Sequence, residues 1–340
     1  MHSTRLRSFT GVITVALAAC SAGTKSNSSV AAKDSAGGNV DAVPAAGAQR
    51  GDTSFGPANH MGRIPVLEYH VITDGKPNTL YTRNRQSYWK DMETLYAKGY
   101  RPITMKQLLD KDFSEVPAGM SPVVFVFDDA SPSQFRYIDR GNGKLDIDSM
   151  SAVGTWLSFA KTHPGWNGKA VFCMLNGGSD GHNFFGDGPK WDGQHGQWRF
   201  QKVKWLADNG FELCDHTLWH AELSKYSDAV VQEQIARNLM GIDSAVPGYK
   251  VRTMALPKGL WPKNRPLAWQ GTYTYTDKKT KATQTVNYKF DAVLEVAGGP
   301  AKSPYDPTFD PHSVSRIEMN GTQFEDALAK LDKTKSRFIK

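Results

Sequence analysis

Cysteine is scarce, with three in 340 residues, which excludes a disulfide-dense scaffold. Past residue 20 no apolar run approaches eighteen residues, so no later segment is built to cross a membrane as a helix. No repeat of fixed period is present, which excludes a solenoid. A dense basic stripe is lacking too. Lysine and arginine outnumber the acids by 41 to 34, but they are scattered. Lys330, Lys333, Lys335, Arg337 and Lys340 form the one dense group. A nucleic-acid surface needs more than that, so no nucleic-acid partner is expected. The formal charge of +7 suits contact with an anionic cell-wall or lipid surface instead.

What is present begins with an export signal. Residues 1–10 carry Arg5 and Arg7 and no acid, and residues 9–19 are apolar. That stretch is too short to cross a hydrocarbon core of ~30 Å as a helix, so it reads as a cleaved signal. It ends in Leu17-Ala18-Ala19-Cys20, small residues before a cysteine, as lipoprotein processing requires. Cys20 is therefore expected to carry a diacylglycerol. Residues 22–56 are Ser, Ala, Gly, Asn and Asp with almost no large apolar side chain. Such a segment cannot bury enough surface to offset its chain entropy and suits a tether. The expected organisation is a signal over 1–19, a lipidated cysteine and linker over 20–61, and one domain over 62–340. Ser21 favours an outer-membrane lipoprotein facing the periplasm, and a monomer is expected.

The domain alternates short apolar runs with amphipathic stretches. Strand-like runs begin at Val66, Val123, Ala170, Phe211, Val251, Asp291 and Ser315. Helical stretches lie over 86–98, 150–162, 200–209, 226–246 and 324–335. Strands separated by helices imply a parallel sheet. About seven such units favour an α/β fold of the irregular (β/α) barrel type over an open sheet. Residues 271–290 alternate Thr, Tyr and Val with polar residues, which predicts an inserted β-hairpin. Residues 176–198 read as a long loop whose Phe184, Phe185, Trp191 and Trp198 are expected to border a sugar-binding groove. Residues 137–149 fail as a calcium loop, because Gly141 and Gly143 occupy positions that need oxygen side chains. An exported compartment would permit a bridge between Cys173 and Cys214. Neighbouring strands rarely present that geometry, so buried free thiols are expected.

In such barrels the chemistry sits at the carboxyl ends of the strands. His70, Asp128-Asp129, Asp215-His216 and Pro257-Lys258-Gly259 all fall there. Two adjacent carboxylates after a buried strand repel unless a cation or proton separates them. His216 and His220 are spaced to share one face of a helical turn, and so one metal. Two imidazoles and a carboxylate on one rim leave positions open for water and substrate.

Pro65-Val66-Leu67-Glu68-Tyr69-His70, Val126-Phe127-Asp128-Asp129 and Asp215-His216-Thr217-Leu218-Trp219-His220 resemble, in order, motifs of the polysaccharide deacetylase family. This is the NodB-homology fold of carbohydrate esterase family 4. The resemblance implies a metal-dependent hydrolase that removes acetyl groups from an N-acetylglucosamine polymer. It implies Asp128 as general base and a divalent ion, zinc foremost, on Asp129, His216 and His220. It also implies an oxyanion donor at the N–H after Pro257, here Lys258, although the motif's arginine and tyrosine are missing. The histidine of the closing Leu-x-x-His motif is missing as well, since that region reads Val314-Ser315-Arg316-Ile317-Glu318. His312 or His70 would have to serve as the acid. The alternatives are an O-acetyl esterase on an acetylated polysaccharide and a lipid-anchored carbohydrate-binding protein without turnover.

Overall fold

The seven apolar runs become seven parallel strands: Val66–Tyr69 (β1), Ser121–Phe127 (β2), Val171–Met174 (β3), Glu212–Asp215 (β4), Thr253–Ala255 (β5), Ala292–Gly298 (β6) and Val314–Glu318 (β7). The computed structural model describes residues 55–188 and 190–340. The expected signal, Cys20 and most of the expected tether lie outside the described residues. Each strand pairs with its sequence neighbour, and β1 also pairs with both β2 and β7, so the sheet closes into a barrel. An extra short strand, Tyr100–Pro102, pairs with the start of β2.

Five longer helices pack outside: Arg85–Ala97 (α1), Ala152–Ala160 (α2), Arg199–Asp208 (α3), Asp228–Ala245 (α4) and Gln323–Thr334 (α5). Their starts have local causes. Asn84 caps α1 by accepting from the Gln86 N–H (2.9 Å), and Ser151 caps α2 by accepting from the Gly154 N–H (3.1 Å). The barrel is irregular because β5 reaches β6 through the predicted hairpin, Gln270–Thr276 against Thr283–Lys289, and not through a long helix. Among the described residues no helix is long and apolar enough to cross a membrane.

The strands alternate large and small residues, and this sorts them into two layers. Tyr69, Phe125, Phe127, Phe172, Leu213 and Met254 join the helices' Tyr88, Trp156, Phe159 and Ile235 in one buried cluster. Val66, Val124, Val126, Cys173, Cys214, Ala255 and Leu294 form the other, inside the barrel. A seven-strand barrel is narrow, so only small side chains fit inside at mid-height. Following the same alternation upward, Glu68, Asp128, His216 and Arg316 also face inward. All four are buried, and they form the polar top layer of the interior.

The two cysteines are an exception to expectation. Cys173 and Cys214 are in register on β3 and β4 and form a disulfide, with Cα atoms 4.2 Å apart. The closed barrel brings two inward-facing residues of adjacent strands to the same height, which spacing along the chain does not reveal.

Candidate metal centre and the residues around it

Asp129, His216 and His220 come together on the rim, one ligand atom from each lying within 4.8 Å of the others. Asp129 Oδ1 is 3.3 Å from His216 Nε2 and 3.5 Å from His220 Nε2. Neither Asp129 Oδ1 nor His216 Nε2 has a hydrogen-bond partner, although both are buried. Buried polar atoms are almost always satisfied, so a convergent pair of orphans fits a cation held between them. His216 donates from Nδ1 to the Ala255 carbonyl (2.9 Å), which turns Nε2 toward the set. Burial pulls the His216 imidazole down, but Asp128 and Asp129 outweigh it and hold it at about 9. A negative pocket that retains a proton is one that accepts a metal ion in its place.

The His216 to His220 segment is not the helical turn its spacing suggests. It is an irregular loop in which Thr217 (φ 68°) and His220 (φ 64°) take left-handed conformations. Asp215 shapes it. Its carboxylate accepts from the Thr217 N–H (2.8 Å) and from Asn238 Nδ2 (3.0 Å) on α4. Asp129 (φ 78°), Ala130 (φ 46°) and Lys258 (φ 56°) are left-handed too. Such residues cost about 1 kcal/mol or more each and cluster where a site is built.

Asp128, whose Oδ2 lies 3.9 Å from His216 Nε2, is gripped by Arg316, a residue to which no motif in the sequence points. Arg316 Nη1 lies 3.0 and 2.9 Å from the two Asp128 carboxylate oxygens. Its Nε donates to the Glu295 carbonyl (2.6 Å), and Nη2 lies 3.4 Å from Glu68 Oε1. The family arginine looked for near Pro257 is absent, and β7 supplies this guanidinium from another part of the chain. Burial raises the Asp128 carboxyl, but Arg316, His216 and His70 together take it below the usual carboxylate range. The Asp128 carboxyl is thus ionised at neutral pH.

Glu68, His70 and Asp128 also lie close enough to hold an ion. Arg316 already supplies the positive charge there, so this second cluster needs none. Burial pushes the Glu68 carboxyl up to about 8, against the pull of Arg316. His70 Nε2 is 3.4 Å from Glu68 Oε1. Gln134 locks the two strand ends by donating to the carbonyls of His70 (2.8 Å) and Asp128 (2.5 Å). The local signal for Glu68 was its position on β1, two residues before His70 just past the strand end, and pointing inward.

Pro257 is buried on the rim beyond β5, and the Lys258 side chain reaches Glu222 Oε1 (2.6 Å). His312 is not brought to the site. It precedes β7, at the opposite end of the barrel from the ligands, and stacks on Trp269 with ring centroids 4.5 Å apart. The 176–198 loop does touch the rim, since Phe185 N–H donates to the Ala130 carbonyl (2.9 Å). Three of its four aromatics, Phe184, Phe185 and Trp198, are buried and so are not sugar platforms, whereas Trp191 is half-buried. Lys202 pins the loop from α3 through the Phe185 carbonyl and Gln194 Oε1, both at 2.7 Å.

A closed parallel barrel with an aspartate and two histidines on its carboxyl rim is the architecture the motif resemblance implies. Residues 167–275 match the family model for polysaccharide deacetylase, so the resemblance holds over β3, β4, His216 and His220, β5 and the start of the hairpin. Solved structures agree in fold. The deacetylase PplD of Streptococcus pyogenes, in complex with acetate, superposes with a TM-score of 0.52 at 16% identity, covering 79% of this chain and 98% of that one. BC0361, a polysaccharide deacetylase from Bacillus cereus, gives 0.52 at 15% identity, with 80% and 69% covered. IcaB from Ammonifex degensii gives 0.51 at 15%, with 80% and 97% covered. No curated protein matches in sequence.

Proposed function

We propose that the protein is a metal-dependent hydrolase that removes N-acetyl groups from an N-acetylglucosamine-containing polysaccharide. The observation that carries this reading is the orphaned pair Asp129 Oδ1 and His216 Nε2, set beside an ionised Asp128. A divalent cation held by Asp129, His216 and His220, zinc by the family resemblance, would supply Lewis acidity to the attacking water and the acetyl carbonyl. Asp128 takes the proton from that water. Arg316 keeps Asp128 ionised and aimed, because its Nη1 meets both carboxylate oxygens while Nε and Nη2 are held by the Glu295 carbonyl and Glu68. The Lys258 N–H is the candidate oxyanion donor, offered by a turn whose φ of 56° is left-handed. An amide needs its leaving nitrogen protonated, and His70 is the imidazole on the rim placed to do it. Glu68 stands behind His70 and holds a proton at neutral pH, so the pair can deliver one.

Motif order and the Leu17-Ala18-Ala19-Cys20 signal support export and attachment to a membrane through a lipid on Cys20. The deciding experiment measures free amine and acetate released from chitin oligomers, peptidoglycan and acetylated xylan, with and without a chelator. Chelator-sensitive release of both products from an N-acetylated polymer is the expected result. Acetate without amine would make it an O-acetyl esterase, and binding without either product would make it a non-catalytic carbohydrate binder.

A further inference from the structure

The barrel holds its one disulfide among the described residues directly beneath the histidine ligand. Cys173 and Cys214 are register partners on β3 and β4, and the next rung up pairs Met174 with Asp215. One step higher, the His216 N–H donates to the Met174 carbonyl (3.1 Å). Asn238 grips the same junction, donating to the Met174 carbonyl (2.8 Å) and to Asp215 Oδ2 (3.0 Å). Cys214 and His216 are two residues apart on one strand, so both face the interior.

The backbone ladder on the other side of β4 is shorter. β4 and β5 share a single register pair, Met254 with Asp215, whereas β3 and β4 share four. The His216 ring is tied to β5 through its Nδ1 bond to the Ala255 carbonyl (2.9 Å), while its backbone is tied to β3 through the Met174 carbonyl. The Cα separation of 4.2 Å at the bridge is below the ~4.8 Å typical between neighbouring strands. Two unbonded sulfurs need van der Waals separation, and both sit fully buried in a close-packed interior. Without the bond nothing covalent holds that spacing below the usual one, and any relaxation of β4 from β3 at that rung is passed to the rung that carries His216.

We infer that the Cys173–Cys214 bridge is a positioning element of the metal-ligand set, which clamps β4 to β3 so that His216 meets Asp129 and His220. The bridge forms when two thiols lose two electrons and two protons to a disulfide-type oxidant in the compartment where the chain folds. Both sulfurs are inaccessible in the closed barrel, so the bond is made during folding and then persists. A chain folded without it would carry the full ligand set in a looser arrangement and bind zinc more weakly.

The inference rests on His216 being a metal ligand, and the test separates the two. Cys173→Ala/Cys214→Val and Cys173→Val/Cys214→Ala keep apolar volume at the site without thiols that could themselves bind zinc. Zinc affinity is measured by competition with a chelator, well below each variant's melting temperature. Amide exchange at His216 and Asp215 is followed in the metal-free proteins. The expected result is folded variants whose dissociation constant for zinc rises tenfold or more, with faster exchange at those two amides. Folded variants that melt earlier but bind zinc as the wild type does would make the bridge a plain staple and overturn the inference. Failure of both variants to fold would make it a folding requirement and overturn it equally. A wild-type protein that binds no zinc would remove both this inference and the metal reading beneath it.

Discussion

Replacing Arg316 by methionine removes the guanidinium that meets Asp128, at 3.0 and 2.9 Å, and that lies 3.4 Å from Glu68. Both carboxyls are buried. Removing one partner of a buried ion pair costs about 3–5 kcal/mol, because the other charge stays uncompensated. Part of that is relieved if Asp128 takes up a proton, at about 1.4 kcal/mol for each tenfold gain in its proton affinity. Arg316→Met is therefore expected to lower the melting temperature by roughly 8 °C, taking ~2 °C per kcal/mol for a chain of this size. The sign for activity follows from the base. Arg316 depresses the Asp128 pKa, so its loss raises that pKa, and the acid limb of the kcat/KM profile moves to higher pH. At neutral pH turnover should fall about 10²-fold. Arg316→Lys restores the charge but not the fork, and should recover stability more than rate. Differential scanning calorimetry and a pH–rate profile test both. A methionine variant that melts with the wild type and keeps its acid limb in place would refute the assignment of Arg316 to the base.

The two aspartates should divide their roles. Asp128→Asn keeps bound metal, read by elemental analysis, and loses about 10²-fold or more in acetate release, whereas Asp129→Asn loses metal and turnover together. An Asp128→Asn protein that is metal-loaded and fully active would sink the division. His70→Ala should cut kcat on an N-acetyl substrate by about 10²-fold with metal retained, while His312→Ala, remote from the rim, leaves kcat unchanged. The reverse pattern would restore His312 as the acid. Cys20→Ala should accumulate as a soluble or uncleaved precursor, because membrane attachment through a single thiol ends with that thiol; mature-sized protein in the membrane fraction at wild-type level would refute lipidation.

Much of this was legible in the residue order. The alternation of apolar runs with amphipathic stretches marked all seven barrel strands and the five longer helices, because burial on both faces of a parallel strand needs continuous apolar residues. The Thr- and Tyr-rich stretch after Gln270 announced its hairpin for the period-2 reason. The convergence of Asp129, His216 and His220 was legible because strand ends and short loops fix them locally. The loop aromatics misled. Phe184, Phe185 and Trp198 read as sugar platforms, but an aromatic in a long loop is as able to anchor that loop to the core as to face a ligand.

The sequence by itself determined the elements, their order, the expectation of an export signal and the three candidate ligands that follow two strands. It could not place Arg316 on Asp128, Glu68 behind His70, Cys173 against Cys214, or His312 at the far end from the ligands. Arg316 and Asp128 are separated by 188 positions, and they meet only because β7 and β2 both flank β1 in a closed ring. Which strand stands beside which, and at what height, is set by how the whole sheet shuts. Closure is a property of seven strands packing together, with small residues inside and large ones out, and no local stretch of chain carries it.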